Sequence, residues 1–279
     1  MTDDHVGEGR ITAITLDFGN TLVPVPAAGL RAVVRRTAVA MAERLGPFDE
    51  DAVLRVWSEE RERQFREDVP QFREVDLGER IVRVLARLRG LAPPAADARW
   101  DDAAAVLLSS PEEVAWTMDV YSRAFVDALP PPPGTSALLG RLAARYRLAI
   151  LSNWPLATTI DRYAEAAGWM PSLAAVVVSQ RVGTIKPQPA IFEAAAAALG
   201  GPPPASILHV GDDWAADVVG AKRMGWRAAY VLGRPADSPL PGSERGEAAD
   251  PALRPDLEIE DVFRLEAGLE ALATRRAPG

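Results

Sequence analysis

The strongest constraint in this sequence is an alternation of short apolar segments with amphipathic ones, which begins near residue 146. Each apolar segment has the length and composition of a buried strand, in the order YRLAILSN, LAAVVVS, SILHVGDD and RAAYVLG. A helical segment follows each of the first three, and parallel neighbouring strands need such crossovers. The alternation therefore predicts an α/β fold, a Rossmann-like parallel sheet with helices on both faces. ITAITL, at residues 11–16, predicts one further buried strand near the N-terminus.

A long helical block separates that first strand from the others. Four segments between residues 27 and 129 show helical spacing: AGLRAVVRRTAVAMAERLG, DEDAVLRVWSEERERQFRED, LGERIVRVLARLRG and SPEEVAWTMDVYSRAFVDAL. The last begins with Ser110 as N-cap, Pro111 at the first helical position and Glu113 two residues later. PPPPG at 130–134 predicts a stiff linker. We therefore expect an all-helical cap domain at 24–130 and a core domain formed by 1–23 and 131–279.

Composition narrows the possible functions. The 279 residues are 48% hydrophobic and 25% charged, as in globular proteins with a substantial core. Cysteine is absent, which excludes disulfides, thiolate zinc sites and cysteine nucleophiles. The net charge of −8 argues against nucleic acid as a partner. Neither a signal peptide nor an apolar run of about 18 residues is evident. We expect a cytoplasmic monomer or homodimer without a membrane partner.

Polar residues stand where the predicted strands end. Ligands of open parallel sheets bind outside the carboxyl ends of the strands, so these residues are the first candidates for a site. They form four groups along the chain: Asp17, then Ser152 with Asn153, then Lys186 before a proline, and then Asp212, Asp213 and Asp217. Each group alone has an ordinary explanation as a helix cap, a turn or a solvated charge. Their combination and order carry more information.

In that order the four groups resemble the motifs of the haloacid dehalogenase-like (HAD) hydrolase superfamily. DFGNT is similar to the nucleophile motif DxDxT, LSN to the second motif, IKP to the third and GDDWAAD to the acidic metal motif. GAKRMGW, after the acidic motif, also matches the family. The resemblance covers residues 11–232, and the helical block matches the subfamily whose helical cap is inserted after the first core strand.

The resemblance implies a Mg²⁺-dependent phosphohydrolase that acts on a small phosphorylated metabolite. Asp17 would attack phosphorus and form an aspartyl-phosphate, a reaction suited to a carboxylate. Mg²⁺, which prefers oxygen ligands, would bind Asp17, the carbonyl of Gly19 and Asp212. Asp213 and Asp217 would be further ligands, direct or through water, or partners that orient Asp212.

The remaining motif residues would handle the phosphoryl group. Ser152, Asn153 and Asn20 are expected to contact its oxygens, and Lys186 to offset its negative charge. Thr21 would either contact the phosphoryl group as well or orient the nucleophile.

Gly19 departs from the family pattern. The family's phosphatases carry an aspartate there, which protonates the leaving group and later deprotonates water. Gly19 can supply a carbonyl but no acid, and general acid–base help contributes roughly 10²- to 10⁴-fold in rate. Three explanations follow. The substrate has a good leaving group, or a cap residue or Asn20 takes over part of the role. Alternatively, catalysis is reduced or lost, which leaves a pseudoenzyme that binds phosphate or a protein partner.

Two other activities of the same superfamily can be compared with the residues of this chain. The family's phosphonoacetaldehyde hydrolases require a cap lysine, and residues 24–130 contain none. Its dehalogenases use the aspartate without metal and lack the acidic cluster, whereas this chain has GDDWAAD. Several carboxylates this close together repel one another unless a cation binds between them. Both activities therefore remain less favoured alternatives.

The sequence says little about how a substrate is selected. Several cap residues offer polar or aromatic contacts, although each is expected to be solvated or packed in the core: Arg31, Arg61, Arg63, Trp57, Phe65 and Phe72. Trp154 follows the second motif directly and is expected near the site. His209 lies inside a strand, and we expect a structural role for it.

Overall fold

The computed structural model describes residues 10–95, 99–243 and 250–274. Its centre is a six-stranded sheet in which every pair of neighbours is parallel. In chain order the strands are β1 (Ala13–Leu16), β2 (Arg147–Ser152), β3 (Ala175–Val178), β4 (Ile207–Gly211), β5 (Arg227–Val231) and β6 (Leu257–Ile259). The order across the sheet is β3-β2-β1-β4-β5-β6. The predicted α/β fold with a parallel sheet is confirmed.

The first strand lies between β2 and β4, although about half of the chain separates it from β2 in sequence and about two thirds from β4. Ile14 of β1 is in register with Leu148 on one side and Leu208 on the other. All four residues of β1 are buried, and the Asp17 amide still donates to the Val210 carbonyl at 2.8 Å. The polar residues that follow β1, β2 and β4 therefore meet at one edge of the sheet.

A helical stretch follows β1 and ends before residue 130. It comprises α1 (Ala27–Arg44), α2 (Glu50–Glu67), α3 (Leu77–Leu88), α4 (Ala103–Val106) and α5 (Pro111–Ala128). The predicted capping box is present at the start of α5, between Ser110 and Glu113. No strand occurs in the parts of this stretch that the structure describes, 24–95 and 99–130. Its assignment as a separate domain stays a prediction.

Helices cover both faces of the sheet. The remaining ones are α6 (Thr135–Ala143), α7 (Ala157–Ala166), α8 (Ser179–Val182), α9 (Pro189–Ala198), α10 (Gly220–Arg223) and α11 (Leu265–Thr274). Ile14 and its neighbours on one face share a buried cluster with Leu138 of α6 and Ile160 of α7. Ala13 and the other face pack on Phe192 of α9. Among the described helices, none is both long and apolar enough to cross a membrane.

The structure adds details that the sequence pattern did not predict. The helix α6 was missed because it directly follows the PPPPG segment. Trp214–Val219, expected as the first half of an α-helix, is π-helical. The aromatic side chains of Phe18, Phe125 and Trp154 pack edge to face or tilted, with centroids 5.1–6.0 Å apart. Because Phe125 belongs to α5 and the other two follow β1 and β2, they join the helical stretch to the sheet.

Candidate active site

A buried lysine connects the ends of three strands. The Lys186 ammonium donates to the Asp17 carboxylate at 2.8 Å, to the Asp217 carboxylate at 2.6 Å and to the Leu151 carbonyl at 2.9 Å. The three charged side chains are nearly inaccessible to solvent. Removal from water is costly for a charge unless it is paired, so each carboxylate depends on this ammonium.

The pKa shifts follow from this arrangement. Burial alone would lower the pKa of Lys186, but the charges of Asp17 and Asp217 outweigh it and raise that pKa. Burial would raise the pKa of Asp217, but Lys186 and His209 hold it below its usual range. For Asp17 burial prevails, and its pKa is raised despite Lys186. The Lys186 ammonium therefore stays charged. Of its two carboxylate partners, Asp17 is the one whose negative charge is less well compensated.

The protein itself engages both oxygens of Asp217. One oxygen contacts Lys186 and the His209 ring, and the other accepts from the Asp213 amide at 2.9 Å. The side chain lies directly on the backbone of β4, because a Cβ at Gly211 would stand 2.2 Å from its Cγ. A contact that short is impossible, so the site requires glycine at 211.

His209 supports Asp217 from within the sheet. Its Nε2 is 3.0 Å from the Asp217 carboxylate and its Nδ1 is 2.8 Å from the Thr15 hydroxyl. Burial lowers the pKa of His209, which keeps the ring neutral. The network then assigns the proton to Nε2, with Thr15 donating to Nδ1. The expected structural role fits these contacts, and the ring is a positioning group for Asp217.

Asp212 completes an acidic cluster with Asp17 and Asp217, in which one oxygen of each lies within 4.8 Å of the others. Its carboxylate accepts long hydrogen bonds from the Thr21 hydroxyl at 3.4 Å and the Arg234 guanidinium at 3.3 Å. Burial, together with the negative charges of Asp17 and Asp217, raises the pKa of Asp212 to about 8. Thr21 thus contacts Asp212 rather than Asp17.

The donor set fits a hard divalent cation. Carboxylate and carbonyl oxygens are its preferred ligands, and unbalanced buried negative charge favours its entry. The carbonyl of Gly19 accepts no hydrogen bond from the described residues, and Asp17 has one oxygen outside the Lys186 contact. The oxygens of Asp212 accept only the long hydrogen bonds from Thr21 and Arg234, so they are more open to a metal than those of Asp217, which are engaged at 2.6–3.0 Å.

Asp213 lies outside the acidic cluster. One carboxylate oxygen accepts from the Ala216 amide at 2.9 Å and caps the π-helical segment. The other accepts from the Ser243 amide at 3.1 Å, and the Ser243 hydroxyl adds a short contact. These contacts give Asp213 an anchoring role, and direct metal binding by it stays a prediction.

Two of the three predicted phosphate contacts, Asn153 and Asn20, also have other partners. The Asn153 side chain accepts from the Lys186 amide at 2.7 Å and donates to the Lys186 carbonyl at 3.1 Å, which fixes the lysine backbone. Asn20, at a left-handed φ of 61°, donates to the Ser238 hydroxyl at 3.0 Å and accepts from a backbone amide. Ser152 is buried and lines the cavity above the carboxylates. Their contacts with phosphate stay predictions.

A loop after β5 packs against the site. The Pro-, Gly- and charge-rich composition of 233–255 predicts a surface loop, and residues 234–243 of this loop also contact the motifs directly. Arg234 reaches Asp212 and is held by the carbonyls of Leu240 and Pro241. A Cβ at Gly19 would lie 2.7 Å from Leu240 Cδ1 and 3.1 Å from the Trp154 ring. The space that an acid at position 19 would need is therefore filled.

The site opens into a cavity of about 400 Å³ that the helical stretch covers. Arg61, Phe65 and Phe72, which the sequence offered as contacts, line it together with Trp154. Three other cap candidates lie elsewhere: Arg31 and Trp57 line a neighbouring groove, and Arg63 is ion-paired with Glu60 and Glu67. Arg80 and Tyr121 also line the cavity, and sequence reasoning missed both because helical periodicity does not separate them from packing residues.

The comparisons with known proteins agree with this geometry. The family model of the haloacid dehalogenase-like hydrolases matches residues 11–225. The chain therefore belongs to this family of hydrolases, as its motifs predicted. A curated relative is the pyrimidine 5'-nucleotidase YjjG of Escherichia coli K12, 26% identical over 113 residues. The match covers 40% of this chain and 50% of YjjG, so the chain spans about half the length of this relative.

Solved structures share the fold over nearly the whole chain. A 2-haloacid dehalogenase from Pseudomonas syringae superimposes with a TM-score of 0.65 at 22% identity, covering 96% of this chain and all of that one. The HAD-hydrolase YfnB of Bacillus subtilis, whose structure contains magnesium, gives 0.59 at 17% identity, with coverage of 94% and 99%. Identities this low establish the common fold alone.

Proposed function

We propose that the chain is a Mg²⁺-dependent phosphohydrolase that acts on a small phosphorylated compound, with Asp17 as nucleophile. The observation that carries the proposal is the buried cluster of Asp17, Asp212 and Asp217 against a single ammonium, Lys186. Displacement at carbon needs one carboxylate. Three carboxylates within 4.8 Å of one another are favourable only when a cation joins them. In this proposal residues 24–130 form the lid over a core made of 1–23 and 131–279.

Each residue then has a defined task. The free oxygen of Asp17 attacks phosphorus, the bond to the leaving group breaks, and an aspartyl-phosphate forms. Water then attacks the same phosphorus, which releases phosphate and restores the carboxylate. Throughout, Lys186 keeps its contact with the other oxygen of Asp17 and offsets negative charge. Ser152 donates to the phosphoryl oxygens. The Asp17 oxygen that contacts Lys186, the Gly19 carbonyl and Asp212 would hold Mg²⁺, which would offset charge between nucleophile and phosphate.

The surroundings of Gly19 favour substrates whose leaving group is stable as an anion. No side chain at that position can donate a proton, and Leu240 with Trp154 occupies the space of one. Acyl phosphates, phosphoanhydrides and aryl phosphates are such substrates. The names of two similar proteins, a nucleotidase and a magnesium-bound hydrolase, support the reaction class and the metal.

Dehalogenation is the second candidate, because a halide leaves without a proton and Gly19 supplies none. A dehalogenase mechanism, however, gives no role to the buried carboxylate of Asp212 beside Asp17. A pseudoenzyme that binds phosphate is the third possibility, if no ester is cleaved at all.

One experiment separates the three. Phosphate release is measured from acetyl phosphate, aryl phosphates and nucleotides, and halide release from 2-chloropropionate, each with Mg²⁺ and with EDTA. The proposal expects phosphate release that EDTA abolishes and that added Mg²⁺ restores. Halide release that survives EDTA would establish the dehalogenase instead. Phosphate binding without any turnover would establish the pseudoenzyme.

A further inference from the structure

The helical side of the cavity contains a buried arginine without a counter-charge. Arg80 is 4% exposed and lines the cavity. Its Nε donates to Gln64 at 2.8 Å, and its guanidinium faces the Trp57 ring at 5.9 Å. No carboxylate in the described part of the chain is within ion-pairing distance of it. A buried cation without an anion is costly, so this position is not explained by stability.

A second arginine adds to the same unbalanced charge. Arg61 lines the cavity, and its buried Nε has no hydrogen-bond partner. Burial and the nearby charge of Arg61 lower the pKa of Arg80 to about 10. Arg63, two residues further along α2, provides the contrast because it is paired with Glu60 and Glu67. Arg63 and Arg66 of this helix are thus ion-paired, although one nitrogen of Arg63 has no partner, whereas Arg61 at the cavity has no carboxylate within ion-pairing distance in the described chain.

Two further polar atoms at this cavity have no partner. They are Oε2 of Glu74 and Nε1 of Trp154, both buried. Burial raises the pKa of Glu74 to about 7, so near neutral pH its carboxyl can carry a proton to donate. Donors without acceptors in one cavity indicate a ligand that supplies the acceptors.

We propose that Arg61 and Arg80 bind a second anionic group of the substrate. The substrate would then carry phosphate at one end and a carboxylate or a second phosphate at the other. The apolar side chains of Phe65 and Phe72 would contact the body between them. A volume of about 400 Å³ suits such a small molecule. This inference rests on the proposed function, since Asp17 must be the phosphate end.

Three aryl phosphates test the subsite. They are phenyl phosphate, 4-carboxyphenyl phosphate and 1,4-phenylene bisphosphate. All three contain one benzene ring, and their phenolate leaving groups depart without protonation by a general acid. Wild type should prefer an ester with a second anion by roughly ten- to a hundredfold in kcat/KM, the range of a charge-assisted contact. The carboxylate and bisphosphate arms show which anion fits. Arg61→Met and Arg80→Met should each bring this ratio toward one, chiefly through KM.

Arg55→Met is the matched control. Arg55 is an exposed arginine of the same helix as Arg61, and its substitution removes the same charge. Its preference ratio should equal that of wild type. Benzoate and benzyl alcohol, titrated calorimetrically, give a readout that needs no turnover. Wild type should bind benzoate more tightly, and Arg80→Met should lose that difference. Failure of all esters with intact benzoate binding would reject the phosphatase and keep the subsite. Equal affinity of wild type for benzoate and benzyl alcohol would overturn the subsite. So would a fall in the preference ratio of Arg55→Met as large as that of Arg80→Met.

Discussion

Two sides of the cavity differ in how their polar groups are satisfied. The carboxylate floor, defined as Asp17, Lys186, Asp212 and Asp217, has a hydrogen-bond partner in the protein for every side chain, and what it lacks is a cation to balance its negative charge. The arginine roof, defined as Arg61, Glu74, Arg80 and Trp154, retains buried atoms without one. A network that is satisfied in advance holds a reactive geometry with little reorganisation. Unsatisfied groups instead await a ligand. The difference indicates that the floor performs the chemistry and the roof selects the substrate.

The largest effect is expected on the floor at the nucleophile. Asp17→Asn should lower kcat by at least about 10⁴-fold, because an amide is a far poorer nucleophile and the step has no substitute. The measurement is phosphate release from acetyl phosphate. Asp213→Asn is the control, since its carboxylate caps the neighbouring segment outside the cluster, and it should lose far less. Equal losses in both variants would place Asp213 on the floor.

Stability provides the next comparison between the two sides. Lys186→Met leaves two buried carboxylates without their ammonium and should lower the free energy of unfolding by about 3–5 kcal/mol. Arg80→Met removes a buried cation that has no carboxylate partner but leaves the buried Gln64 oxygen unpaired, so its cost should be smaller, at most about 1–3 kcal/mol. Urea unfolding of both variants measures the difference. Similar losses would show that roof and floor are satisfied alike.

The floor was predictable from sequence, whereas of the roof only Arg61 and Trp154 were among the candidates, and Glu74 and Arg80 were missed. Asp17, Ser152 and Asp212 each end a strand whose apolar character is plain, and parallel strands bring such ends to one edge. Arg80 lies on a regular amphipathic helix, in a chain where all but two basic residues are arginines. Nothing in the spacing distinguishes it from Arg63, which is ion-paired. The difference arises only from how α2 and α3 pack over the cavity.

The loop over Gly19 shows the same limit. Most of its residues are proline, glycine and small polar side chains, a composition typical of any surface segment. Contacts between Leu240 and Gly19, or between Ser243 and Asp213, depend on the path of the chain after β5. Such paths are set by tertiary packing, which short-range patterns do not encode.

A smaller gain in rate is expected when the missing acid is restored. Gly19→Asp alone meets Leu240 at 2.7 Å, so the pair Gly19→Asp with Leu240→Ala supplies both carboxyl and space. Turnover of alkyl phosphates should rise by up to about 10²-fold, while acetyl phosphate should change little because it needs no proton. The measurement is kcat/KM over esters of different leaving-group pKa. Wild type should already show a steep dependence on that pKa. A flat dependence would mean that another group donates the proton.

The last comparison concerns the pH dependence of stability in the metal-free protein. The pKa of Asp212 is raised to about 8 from an ordinary 3.8, so its protonated form favours the fold below pH 4 and this stability is lost as pH rises through 8. The slope is at most about 1.4 kcal/mol per pH unit. Asp212→Asn should flatten the thermal midpoint between pH 4 and 8 relative to wild type. Glu79, whose pKa is also raised to about 8, stays present in both proteins. Identical pH profiles of the two proteins would show that Asp212 is not the group whose titration causes the pH dependence of stability.

The most direct test of the account is to find the phosphoryl group on the protein. Wild type is mixed with acetyl phosphate and Mg²⁺, quenched in acid and digested, and its peptides are examined by mass spectrometry. We predict one phosphoryl group on Asp17, absent when EDTA replaces Mg²⁺ and absent in Asp17→Asn. Rapid turnover of acetyl phosphate with an unmodified Asp17, or with the phosphoryl group on another residue, would contradict the account.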